Sequence, residues 1–226
     1  MGVVQFFVVH VIVQSAWAEP YSWAGNNISD LGNVHCALQP EPEPRYVCSP
    51  EHGLMNTSFV VLGALLVVGV VLTGRAVWRR GPAAVAARLL LAGAGVGFVL
   101  AGLAPADADE NMHVLGALLI MATGNIGLLL AGLGLAASPA SRWATALLGF
   151  AAATALGLFL SHHYLGLGMG GMERVAAFPL LAWALAVGVS GLTGRRSEAA
   201  APDSMEDEPS RRSQKDAPGG FNQRTS

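Results

Sequence analysis

The chain has 226 residues, 53% of them hydrophobic and 12% charged, with a formal net charge of −2 and a mean hydropathy of +0.48. A soluble domain carries about 25% charged residues, so the composition excludes an ordinary soluble globule. Charges are almost missing from several long apolar runs, the distribution that hydrocarbon selects because a charge at mid-bilayer is costly; an integral membrane protein with membrane lipids as partners, and no nucleic acid, is expected.

The first apolar segment covers about 3–18 and ends in Ala16-Trp17-Ala18, the small-x-small form of a signal-peptide cleavage site. Its amino end lacks Lys and Arg, and His10 interrupts it, so a retained short helix is preferred. Cleavage would leave five helices and a new amino terminus outside, at Glu19. A polar loop, 19–53, follows and contains "NNISDLGNVHC" at 26–36. Cys36 and Cys48 both fall in it. Their C-x₁₁-C spacing matches no zinc signature; in an oxidising compartment a disulfide is the simpler reading, and closing that ring would stabilise the loop by roughly 3 kcal/mol.

Further apolar segments cover about 54–72, 89–104, 112–136, 143–164 and 175–192. A crossing helix needs roughly 20 apolar residues, so the first and third segments must borrow interfacial residues at their ends. Gly93 and Gly97, four apart, and Gly124, Gly127 and Ala131 read as small-residue faces for close helix packing in lipid. Trp17, Trp23, Trp78, Trp143 and Trp183 mostly lie near segment ends, as interfacial anchors do. From Gly194 to Ser226 the chain is polar, with mixed charge, Pro, Ser and Gly, and reads as a disordered cytoplasmic tail.

Arginine counts orient the bundle. Arg75, Arg79, Arg80 and Arg88 fall between the second and third segments, Arg142 in the next loop on that side, and Arg195 and Arg196 at the tail. The positive-inside rule makes that side cytoplasmic. The expected fold is therefore an all-α, six-helix inner (plasma) membrane bundle with both termini cytoplasmic and one long extracytoplasmic loop, 19–53.

Five of the six histidines map to the outer end: His35, His52, His113, His162 and His163. Asp30, Glu173 and Arg174 join them, while Asp107, Asp109 and Glu110 read as a solvated acidic loop. His52 and Asn56, four apart, share a helical face, and the adjacent His162 and His163 lie about 100° apart, so only one would face the bundle axis. In the preferred reading, Asn26, Asp30, His52, Asn56, His113, His162, Glu173 and Arg174 form a polar cluster that binds a ligand or braces helix ends. In the other reading, His52, His113 and His162 hold a zinc ion with one position open to water, and Asp30 or Glu173 serves as base.

"YSWAGNNISDLGNVHC", "RYVCSPEHGLMN", "MHVLGAL" and "GMERVAAFP" together resemble a bacterial multi-pass membrane family catalogued as domain of unknown function 998, over about residues 3–192. Its most specific element is the N-x-ISDLG signature, here Asn26 and Ile28–Gly32. The family is distantly similar to eukaryotic six-helix proteins with an ISD-G loop that are linked to autophagy modulation and lipid-anchor remodelling. The resemblance implies six helices with the signature loop after the first, supports keeping that helix, and makes this copy look clipped at its amino end. The function expected is binding or sensing of a lipid headgroup or small amphiphile in an outward-facing polar pocket. The alternative is a metal-dependent intramembrane hydrolase acting on a lipid amide or ester.

Overall fold

A chain that must satisfy every backbone N–H and C=O without water has helices as its simplest solution, and the apolar runs adopt it. The computed structural model describes residues 2–40 and 44–199. It divides into two compact units, Met1–Val189 and Ser190–Ser226; the first holds the bundle. In chain order come helix α1 (Gly2–Ser15), a 3₁₀ turn (Ser29–Gly32), strands β1 (Ala37–Gln39) and β2 (Arg45–Val47), then α2 (His52–Leu72) and α3 (Pro82–Leu103). Next are α4 (Glu110–Leu118), a π turn (Leu119–Thr123), α5 (Gly124–Gly134), α6 (Pro139–Leu160) and α7 (Gly168–Ala199).

Among the described residues, five stretches are long and apolar enough to cross a membrane: α2, α3, the continuous α4–α5 rod, α6, and Gly168–Gly191 of α7. Helix α1, at 14 residues, is shorter. Large apolar side chains such as Val71, Leu72, Leu89, Leu147 and Phe150 are exposed along the outer faces, a surface that water would penalise and lipid tails accept. This is a multi-pass membrane protein.

The helix ends are defined by local chemistry. Pro82 and Pro139 occupy first-turn positions, where a missing N–H costs nothing, and Asp109 caps α4 by accepting from the Met112 amide at 3.2 Å. At the opposite end of the bundle, Arg88 donates to the Val70 carbonyl at 3.1 Å and Arg142 to the Gly132 carbonyl at 2.9 Å. Those carbonyls close α2 and α5 and have no intrahelical partner. Helices α3 and α6 therefore start before the expected 89 and 143, and both arginines lie on helices rather than in loops.

Other boundaries also moved. Helix α6 ends at Leu160, so His162 and His163 lie in a turn, with His162 at φ 58, and their expected helical separation does not apply. Helix α7 begins at Gly168 and carries Glu173 and Arg174 on its own turns; it runs beyond 192 to Ala199. The tail reading for 200–226 lies outside the described residues. The 19–53 loop is not helix-only territory: β1 and β2 form a two-stranded antiparallel hairpin with Ala37 opposite Val47 and Gln39 opposite Arg45. Continuing that register by one residue sets Cys36 opposite Cys48, and the two are joined in a disulfide.

Glycines bring the rods together. A Cβ on Gly63 would strike the Gly95 carbonyl, where α2 meets α3, and a Cβ on Gly97 would lie 2.6 Å from the Gly116 carbonyl, where α3 meets α4. Gly93 faces the same rod through Thr123, so the expected shared face of Gly93 and Gly97 is present. Trp78 and Trp183 are buried and 6.2 Å apart rather than serving as exposed anchors, whereas Trp143 is exposed.

Gly63→Val should lower stability by about 1–3 kcal/mol, the usual cost of overpacking, measured as thermal unfolding in detergent. Gly69→Ala, whose new methyl meets nothing within 4 Å, should leave the midpoint unchanged or raised.

Candidate functional site

The signature loop is seated on the first turns of α7. Gly170 donates its amide to the Ala24 carbonyl at 2.8 Å, and a Cβ at Gly168 or Gly170 would collide with the carbonyls of Ala24 and Asn26. This close approach places loop carbonyls around Arg174. Its Nη1 donates to the carbonyls of Trp23 (3.0 Å), Asn26 (2.9 Å) and Gly170 (2.7 Å), and Nη2 donates to the Tyr21 hydroxyl. The guanidinium also lies 4.8 Å from the Trp23 ring centre and 5.5 Å from that of Tyr21, within cation–π range. Burial, above all, pushes the Tyr21 phenol above its ordinary value, against the opposing pull of Arg174. The neutral phenol passes a hydrogen bond to the Asn27 carbonyl at 2.8 Å.

Asp30 organises the inside of the loop. Oδ2 accepts from the Asn26 side chain (3.1 Å), the Asn27 amide (3.0 Å) and Arg45 Nε (2.8 Å), while Oδ1 accepts from Arg45 Nη2 at 2.9 Å. A two-point Arg–carboxylate pair fixes orientation as well as charge, so Arg45, on the disulfide-closed hairpin, ties that hairpin to the signature turn. Ser49 Oγ donates to the Leu31 carbonyl at 2.7 Å and Asn56 Nδ2 to the Gly32 carbonyl at 2.9 Å, fastening the turn to the start of α2.

Glu173 and His113 share a different surface. Glu173 Oε2 accepts the Ile28 amide at 2.6 Å. His113 Nδ1 stands 2.8 Å from the Ala104 carbonyl; since a carbonyl only accepts, Nδ1 carries a proton and Nε2 is left as the acceptor of the neutral ring. Both residues line a cavity of about 40 Å³ whose other walls are Ile28, Ser29, Phe6, Phe59, Phe98, Phe178 and small or aliphatic groups of α3, the α4 rod and α7. The π turn at Leu119–Thr123 gives consecutive residues, Ile120 and Met121, to that wall.

Of the eight predicted cluster residues, Asn26, Asp30, Asn56, Glu173 and Arg174 interlock through the signature loop, and His113 joins Glu173 across the cavity. His52 is engaged locally, its Nδ1 3.0 Å from the Ser49 carbonyl. His162 is exposed and bonded to the Tyr164 hydroxyl at 3.0 Å. His52, His113 and His162 are thus held by three separate local bonds, and among the described residues no three His, Cys, Asp or Glu side chains form a metal-binding set.

Asp107 departs from the solvated acidic loop. Its carboxylate accepts the amides of Val34 (3.0 Å) and His35 (2.6 Å) and faces His35 Nδ1 at 3.1 Å. Desolvation raises its pKa, but those bonds prevail and hold it below the ordinary 3.8.

A family model covers this architecture over residues 1–190. The chain belongs to DUF998, a family of proteins of unknown function. No curated protein and no solved structure gives a significant match to this DUF998 chain.

Sequence reading missed Arg45, Tyr21 and the four-phenylalanine wall. The position of Arg45 three residues before Cys48 is the available signal that it lies on the constrained hairpin.

Two outcomes are expected. Asp30→Ala, which removes the carboxylate that accepts from the Asn26 side chain, the Asn27 amide and Arg45, should cost about 3 kcal/mol and expose the hairpin to proteolysis, whereas Asp109→Ala should cost about 1 kcal/mol as a lost cap. Because the Asp107 pKa is lowered by folding, its contribution is fully present above pH 3.8 and is lost as pH falls through the lower folded value. Protection of the Val34 and His35 amides, taken relative to their intrinsic exchange rates, should fall only in that acidic range, and unchanged protection there would contradict the assignment.

Proposed function

We propose that this protein binds a lipid headgroup or small amphiphile, with the ligand's polar end at Glu173 and His113 and its apolar part against Phe6, Phe59, Phe98 and Phe178. The observation that carries this reading is the pairing of two hydrogen-bonding titratable side chains with an otherwise apolar cavity inside a membrane bundle. Ligand sites combine an apolar lining with a few placed polar groups in this way. The signature loop contributes Ile28 and Ser29 to the wall, and Arg174, Asp30 and Arg45 hold that loop in place.

In the same reading the protein sits in the inner (plasma) membrane as a six-helix bundle with α1 as a short sixth crossing element. The connection 73–81, with Arg75, Arg79 and Arg80, and the early turns of α3 and α6, with Arg88 and Arg142, face the cytoplasm, and the disulfide hairpin faces outward, where oxidation is sustained. The bound molecule would enter from the outer leaflet or its surface.

A single-chain lipid probe carrying a photoreactive group along its chain should label peptides containing Phe59, Phe98 or Phe178. Labelling confined to outward-facing residues such as Val71 and Leu89 would reject the site. After reduction, Cys36 and Cys48 should react with a membrane-impermeant thiol reagent added outside intact cells; reaction only after the membrane is opened would reverse the orientation.

A further inference from the structure

The cavity has a sign. Among the described residues that line it, Glu173 is the one acidic side chain and there is no Lys or Arg. Arg174, the next residue, does not line the cavity; its guanidinium is held on the loop side by three carbonyls, the Tyr21 hydroxyl and two aromatic faces. Asp30 and Arg45 neutralise each other. The hydrogen-bonding surface is rich in acceptors. One Glu173 oxygen is fixed by the Ile28 amide, leaving the other for a ligand. His113 Nε2 is an acceptor in the tautomer set by Ala104, and the Ser29 hydroxyl can accept as well.

Three acceptors beside phenylalanine rings are complementary to an ammonium group, which has three donors, no acceptor and an attraction to aromatic faces. A phosphate or carboxylate would be set against the Glu173 carboxyl and meet no N–H donor from a neutral His113. Size and donors narrow the choice further. The cavity, of about 40 Å³, has room for an ammonium and the first methylenes behind it, and a trimethylammonium has no N–H to give the three acceptors.

We propose that the polar end recognised here is a primary amine, on an amphiphile whose single chain leaves between the helices. This deepens the amphiphile reading above and rests on it.

The test uses the full chain in phosphatidylcholine nanodiscs, titrated with radiolabelled dodecylamine and competed with dodecanol, dodecyl phosphate and dodecyltrimethylammonium. Saturable dodecylamine binding is expected, displaced poorly by the other three. Glu173→Gln, which still offers an oxygen to the Ile28 amide, should weaken binding by about ten- to a hundredfold, the scale of a hydrogen bond to a charged group, with the thermal midpoint retained. Ala117→Leu, which fills the cavity without touching its charge, should abolish binding of every probe. Equal or better competition by dodecanol or dodecyl phosphate would overturn the amine while leaving an amphiphile site in place, as would tight dodecyltrimethylammonium binding for the primary-amine restriction. Failure of all four probes to bind saturably would overturn the amphiphile reading and this inference with it.

Discussion

Arg174 is the point on which the loop end depends. A guanidinium brought into a membrane protein must find acceptors for its donors or lose more in desolvation than it gains. Here three of the acceptors are backbone carbonyls, two of them supplied by a loop about 150 positions away in the chain (|i−j| = 151 and 148). Those carbonyls can converge only because Gly168 and Gly170 have no side chains to hold the loop off. Glu173, one position back, takes the Ile28 amide from the same loop. One helical turn thus grips the signature segment with both charges, and the cavity wall formed by Ile28 and Ser29 follows from that grip.

The hairpin adds a second, independent fastening. β-pairing, the disulfide and the Asp30–Arg45 pair all act within residues 26–48, so they shape the loop without reference to the bundle. Ser49 and Asn56 then attach it to α2, and Asp107 attaches it to the α3–α4 connection through the amides of Val34 and His35. A polar segment of this kind is held over a bundle of apolar rods by hydrogen bonds at its margins, because the rods themselves have little polar surface to offer.

The membrane-spanning character was legible because hydrocarbon imposes a coarse, one-dimensional rule on composition, and the glycine face at Gly93 and Gly97 was legible for a similar reason. Boundaries were less so. Arg88 and Arg142 looked like loop residues, yet their long aliphatic stems let the backbone remain helical while the charged ends reach carbonyls of the preceding helix. Spacing along the chain groups the polar residues by helix end but leaves their wiring open. Nothing in the spacing of His52, His113 and His162 distinguishes a shared ligand set from three separate backbone and hydroxyl contacts, since that depends on helix rotation. The hairpin was missed because its strands are three residues each, below the length at which alternation can be read.

Sequence separation gives these contacts an order in time. Asp30 and Arg45 are 15 positions apart and can meet as soon as the loop has been synthesised, whereas Arg174 is 148 positions from Asn26. The loop is therefore made and internally closed while its seat on α7 does not yet exist. Through the synthesis of four intervening spans it must persist as a preformed cap, and only the arrival of the last helix locks it down. The final span is in this sense a latch: until it is inserted, the chamber between Phe6 and Phe178 has one side missing.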